Sequence, residues 1–153
     1  MKVNLKKLII NILVPVFLGA IVGFLTSSSN GYKLLNQPSF APPGILFPIV
    51  WTILYILMGV SSYLISESNS VYENKALSIY KLQLVVNLLW SFLFFTFKLY
   101  LLSFIWIVLL IILVIVMIKR FYKISKISAL IQIPYLLWLI FAAILNFSIY
   151  ILN

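Results

Sequence analysis

The sequence predicts an all-α integral membrane bundle of five transmembrane helices, and three observations predict it. Hydrophobic residues make up 65% of the chain and charged residues 8%, too few to cover a water-facing surface. Five apolar runs come close to the roughly 20 residues that crossing hydrocarbon requires. The eleven Lys and Arg stand on the flanks between these runs, where they encode membrane orientation. They form no continuous basic strip, so nucleic acid is excluded as a partner and membrane lipid is expected instead.

The whole chain, 1–153, reads as one membrane domain. A first helix is predicted over about 8–25, ended by the turn-forming tract Thr26, Ser27, Ser28, Ser29, Asn30 and Gly31. Lys2, Lys6 and Lys7 ahead of it resemble a signal peptide's basic start, but the apolar run is long and no small-x-small cleavage site follows. A long, lid-like linker covers 26–43, and Pro42 and Pro43 close it just before a second helix over about 44–65. The third helix is expected over 80–97 and the fourth over 101–118, joined so briefly at Lys98 that they form an antiparallel hairpin. A basic connector, 119–126, precedes the fifth helix, 127–152, which carries Pro134 as an internal kink.

Basic residues choose the orientation. With the N-terminus inside, nine of them are cytoplasmic and only Lys33 and Lys98 face out. The prediction is a multi-pass protein of the cell membrane with a cytoplasmic N-terminus and with the first linker and C-terminus outside.

Candidate site residues follow from polarity inside the spans. Gln83, Asn87 and Trp90 share a face of the third helix at i, i+4 and i+7; an amide in hydrocarbon needs a partner, either a neighbouring helix or a ligand. Trp51 and Tyr55 share a face of the second helix, and Trp138, Ala142 and Leu145 one of the fifth, with Asn146 beside them. These positions read as bundle-facing, whereas Tyr100, Trp106 and Tyr150 read as interfacial anchors. Gly19 and Gly23 form Gly-x-x-x-Gly, which serves packing within the chain or a homodimer interface; the reading leans to the dimer. There is no Cys, His or Asp, and the two carboxylates are Glu67 and Glu73, so no metal site and no disulfide is expected.

Three segments resemble the translocator protein or tryptophan-rich sensory protein family, TspO/MBR: PSFAPPGILFPIVWTILYILMG at 38–59, QLVVNLLWSFLFF at 83–95 and PYLLWLIFAAILN at 134–146. The resemblance implies five helices around a pocket beneath the first linker, binding protoporphyrin or other tetrapyrroles and benzodiazepine- or isoquinoline-type ligands. It places Trp51, Asn87, Trp90, Trp138, Ala142 and Leu145 on the pocket wall, with Tyr32 and Pro42 closing it. Phe40 stands where the family usually has tryptophan, and the C-terminus lacks the basic end of the animal members' cholesterol pattern.

For some bacterial members the resemblance also implies light- and oxygen-dependent porphyrin breakdown. Trp51 and Trp138 are then the candidate catalytic residues, as oxidisable indoles. Whether this chain is an enzyme stays open, since no acid, base or nucleophile is visible within the spans. A porphyrin enters as ligand or substrate, not as a resident cofactor. The alternatives are transport of porphyrin or another lipophilic molecule, without ion coupling because the spans hold no carboxylate, and a ligand-responsive sensor or scaffold.

Overall fold

The computed structural model describes residues 2–27 and 31–153. Its helices are α1 (Leu5–Thr26), a single turn α2 (Gly31–Leu34), α3 (Leu46–Ser66), α4 (Glu73–Ser91), α5 (Tyr100–Ile124), α6 (Lys126–Ile131) and α7 (Ile133–Leu152). A π-helical turn, Phe92–Thr96, continues α4. Among the described residues this makes five spans, with α6 and α7 together forming the last. At 22 residues α1 is about 33 Å long, enough to cross the hydrocarbon.

Polarity is inverted relative to a water-soluble fold. Gln83, Asn87, Gln132 and Asn146 are buried, whereas Ile9, Leu13 and Phe17, one stripe of α1, face outward. Lipid accepts such a surface and water does not.

α1 packs chiefly on α3, and one residue pair sets how closely. Pro15 lies inside α1 and has no N–H to donate to the carbonyl of Asn11. That carbonyl instead faces Gly59 of α3, where an added Cβ would stand 2.6 Å from the oxygen and 2.4 Å from Ile12 Cα. One turn along, Ser62 donates to Asn11 Oδ1 at 3.0 Å. An ion pair, Lys7 to Glu67 at 2.6 Å, fastens the end of the contact. On the far side α5 joins α4 to α7, and α1 also touches α4, closing the ring.

Several sequence-derived boundaries need correction. α1 starts at Leu5 because Asn4 Oδ1 accepts from Lys7 N at 3.1 Å as an N-cap. Ser28, Ser29 and Asn30 of the turn-forming tract lie outside the described residues. α3 begins at Leu46 and ends at Ser66, slightly displaced from 44–65.

The third span begins at Glu73, not 80. Its first turns are polar and so invisible to a hydropathy reading, yet Ala76 is buried, the Tyr80 ring packs tilted against Phe121, and Arg120 donates to the Lys75 carbonyl at 3.1 Å. The fourth helix runs to Ile124, absorbing most of the basic connector, with Lys123 in its last turn where it complements the helix dipole. The last span is broken at Gln132, so Pro134 sits in the first turn of α7 rather than inside one continuous helix. The hairpin at Lys98 matches expectation, and Lys98 takes a left-handed backbone, φ 55°.

Candidate functional site

α3 and α4 run side by side and project aromatic and amide groups into the bundle. A hydrogen-bonded chain fixes them: Tyr55 Oη donates to Asn87 Oδ1, Asn87 Nδ2 donates to Tyr135 Oη, and Tyr135 Oη donates to Gln83 Oε1, each at 2.7 Å. It ties α3, α4 and α7 together. Both amides thus have partners on neighbouring helices. The Trp90 indole N–H donates to Asn146 Oδ1 at 3.0 Å, and Asn146 Nδ2 donates to the Tyr100 carbonyl at 2.9 Å. Trp90 is therefore held from α7 and stacks on Phe94 of the π turn, ring centroids 5.1 Å apart.

α3 meets the last span mainly through α6, and toward the linker the space between α3 and α7 is filled by rings. Phe47 and Trp138 lie 6.0 Å apart and Trp51 and Tyr135 6.2 Å, both edge to face. What remains is a cleft of about 20 Å³ bordered by Trp51, Trp90, Trp138, Ala142, Leu145 and Asn146. This is room for a water molecule and no more. Trp138 Nε1 is buried there without a hydrogen-bond partner among the described residues.

The open space lies on the opposite side of Trp51 and Trp90. A cavity of about 590 Å³ is bounded by α1 (Val16, Ala20, Gly23), by α3 (Trp51, Tyr55) and by α4 (Asn87, Trp90). Its volume falls within the roughly 300–1,000 Å³ of small-molecule sites. Tyr32 and Lys33 of α2 border its mouth, at the end where α1 finishes and α3 begins. Tyr32 Oη donates to the Pro42 carbonyl at 2.8 Å and its ring meets Phe47 edge-on at 5.1 Å. Partial burial raises its phenol above the ordinary value.

The structure thus divides the expected residues. Trp51 and Trp90 border both spaces, Asn87 borders the large cavity, and Trp138, Ala142 and Leu145 border only the cleft. Pro42 borders neither and contributes its carbonyl to Tyr32. Gly19 packs within the chain: an added Cβ would meet the Tyr55 ring at 2.3 Å. At Gly23 nothing lies within 4 Å of that position, so it opens onto the cavity. Trp106 is not merely an interfacial anchor, since its indole N–H donates to the Val86 carbonyl at 2.8 Å.

Sequence reasoning missed the whole α1 wall, together with Phe47 and Tyr135. The signal for the wall was present in the small residues Gly19, Ala20 and Gly23, in a helix otherwise rich in bulky side chains. Small residues on a membrane helix suit close packing and equally leave space.

Comparison with known proteins agrees with this architecture. Residues 11–152 match the model of the TspO/MBR family. The chain is 38% identical to the tryptophan-rich protein TspO of Archaeoglobus fulgidus, covering 98% of this chain and 99% of that one. It is 36% identical to the protein of the same name in Chlorobaculum tepidum, covering 97% and 99%. To the translocator protein of Ovis aries it is 31% identical, over 78% of this chain and 72% of the relative.

Proposed function

This chain belongs to the TspO/MBR family, and we propose that it is a membrane protein that binds protoporphyrin or a related flat tetrapyrrole in the cavity between α1, α3 and α4. The observation that carries this reading is the cavity itself: about 590 Å³, walled by the indoles Trp51 and Trp90 and floored by small residues of α1. An aromatic slot beside glycine and alanine suits a flat, apolar body, which stacks on indole faces and needs no metal ligand. Benzodiazepine- and isoquinoline-type molecules share that shape and compete for the same space.

The cleft lies across Trp51 and Trp90 from the cavity, and Phe47 borders both. A ligand edge that displaced the Phe47 ring would reach Trp138, whose N–H has no partner among the described residues and offers a donor to a ligand acceptor. Trp51 and Trp138 would then both touch a bound porphyrin, the arrangement needed for light-driven oxidation through their indoles.

Titration of the purified protein with protoporphyrin tests the reading through tryptophan fluorescence. Saturable quenching that isoquinoline-type ligands reverse is expected; quenching that rises linearly without saturation overturns it. Under illumination in air, porphyrin absorbance that decays alike in wild type, Trp51→Phe and Trp138→Phe would remove the chemical role of the indoles and leave binding intact.

A further inference from the structure

Among the described residues the cavity wall carries one formal charge, and it is positive. Lys33, in the single turn α2, borders the mouth beside Tyr32, Thr26 and Ser27. Among the described residues no acidic side chain borders the cavity, and the chain's two side-chain carboxylates lie elsewhere: Glu67 caps the end of α3 remote from the mouth and pairs with Lys7, and Glu73 opens α4 at that same end. With 21 residues, α3 separates Glu67 from the mouth by about 30 Å, far beyond the screening length at physiological salt.

Helix ends of both polarities meet at the mouth, since α1 and α4 finish there and α3 begins. The hydroxyls of Thr26 and Ser27 donate to the carbonyls of Val22 and Phe24 at 2.8 and 3.0 Å, which blunts the negative end of α1. Lys33 is the formally charged residue that borders the cavity at this mouth. Its backbone is held by the neighbouring anchor, Tyr32 to Pro42, while its side chain is exposed and makes no ion pair among the described residues.

We propose that Lys33 makes this cavity selective for anionic aromatic amphiphiles: the flat body lies between α1 and the indoles of Trp51 and Trp90, and a carboxylate at its rim reaches the ammonium at the mouth. The inference rests on the reading above for the place of binding, and not on the ligand being a porphyrin. Such geometry also orients the ligand, acid edge outward and apolar edge toward the cleft. An exposed ion pair is a modest contact, so its weight lies in selectivity and orientation more than in total affinity.

The test uses the full chain in neutral detergent with 1-pyrenebutyrate and its uncharged methyl ester as flat probes, at low salt. Comparing variants in the same micelle cancels the unequal partitioning of acid and ester. Wild type is expected to favour the acid over the ester by about two- to fivefold more than Lys33→Met does, as an exposed ion pair allows, with Lys33→Arg retaining the preference and added salt erasing it. Equal acid-to-ester ratios in wild type and Lys33→Met overturn the proposal. So does oleate displacing the pyrene acid as well as a second aromatic acid does, because the cavity would then select a charge without selecting a flat body.

Protoporphyrin and its dimethyl ester are measured alongside. If the pyrene pair behaves as expected while protoporphyrin fails to bind, the tetrapyrrole reading falls and this inference stands. If both porphyrin forms bind with a ratio that Lys33→Met does not change, the inference falls and the tetrapyrrole reading stands.

Discussion

Gly59→Ala isolates the contact that positions the α1 wall. Its new Cβ would stand 2.4 Å from Ile12 Cα, 2.6 Å from the Asn11 carbonyl oxygen and 2.8 Å from Ile12 N. Carbon atoms settle no closer than about 3.5 Å, so α1 and α3 must part by roughly 1 Å. All three neighbours are backbone, so no rotamer change absorbs the shift. Overpacking of this kind costs about 1–3 kcal/mol, and the better helix propensity of alanine returns at most about 1 kcal/mol. The Ser62 to Asn11 hydrogen bond stretches with the helices, adding about 0.6 kcal/mol, the average for such bonds in a membrane. The net expectation is a loss of about 1–2 kcal/mol, with weaker ligand binding because the wall has moved. Reversible unfolding in mixed micelles of mild and denaturing detergent measures it. Gly23→Ala is the control: its Cβ meets nothing within 4 Å, so stability should hold or rise. Equal stability of Gly59→Ala and wild type, or an equal loss in Gly23→Ala, would refute the reasoning.

Other outcomes follow from the same geometry. Tyr135→Phe removes a buried hydroxyl that accepts from Asn87 and donates to Gln83, and should cost about 2 kcal/mol in the same unfolding assay. Tyr55→Phe breaks one bond of that chain, whose freed acceptor borders the cavity, and should cost about half as much. Asn153→Ala opens a clasp in which Asn36 N donates to Asn153 Oδ1 at 3.1 Å and Asn153 Nδ2 donates to the Asn36 carbonyl at 2.9 Å. Freeing the linker should raise ligand association and dissociation rates together in stopped-flow, with little change in affinity. A reporter fused at Asn153 is expected to behave as extracytoplasmic, because the nine basic residues counted as cytoplasmic lie toward the opposite helix ends; cytoplasmic behaviour would reverse the orientation.

The spans were legible because lipid demands long apolar runs, and the hairpin because Lys98 and Leu99 leave no room for a longer loop. Their ends were not, because hydropathy reports contact with hydrocarbon and a helix may continue past it: the polar turns from Glu73 and the basic turns to Ile124 are helical and packed. The inward faces of Trp51 and Trp90 could be read from helical spacing, and so could the need of Asn87 for a partner. Which partner it takes depends on Tyr135, two helices away, which periodicity does not reveal. Likewise Pro15 and Gly59 each look ordinary alone, and only together do they bring α1 close enough to wall a cavity.

The central claim is that the ligand occupies the space on the α1 side of Trp51 and Trp90, and Gly23→Leu tests it most directly. The new side chain grows from a position with nothing within 4 Å into the cavity of about 590 Å³, so folding should be spared. Titrated with protoporphyrin, this variant is predicted to unfold like wild type and to lose saturable tryptophan quenching. Unchanged affinity in a normally folded Gly23→Leu would contradict the account.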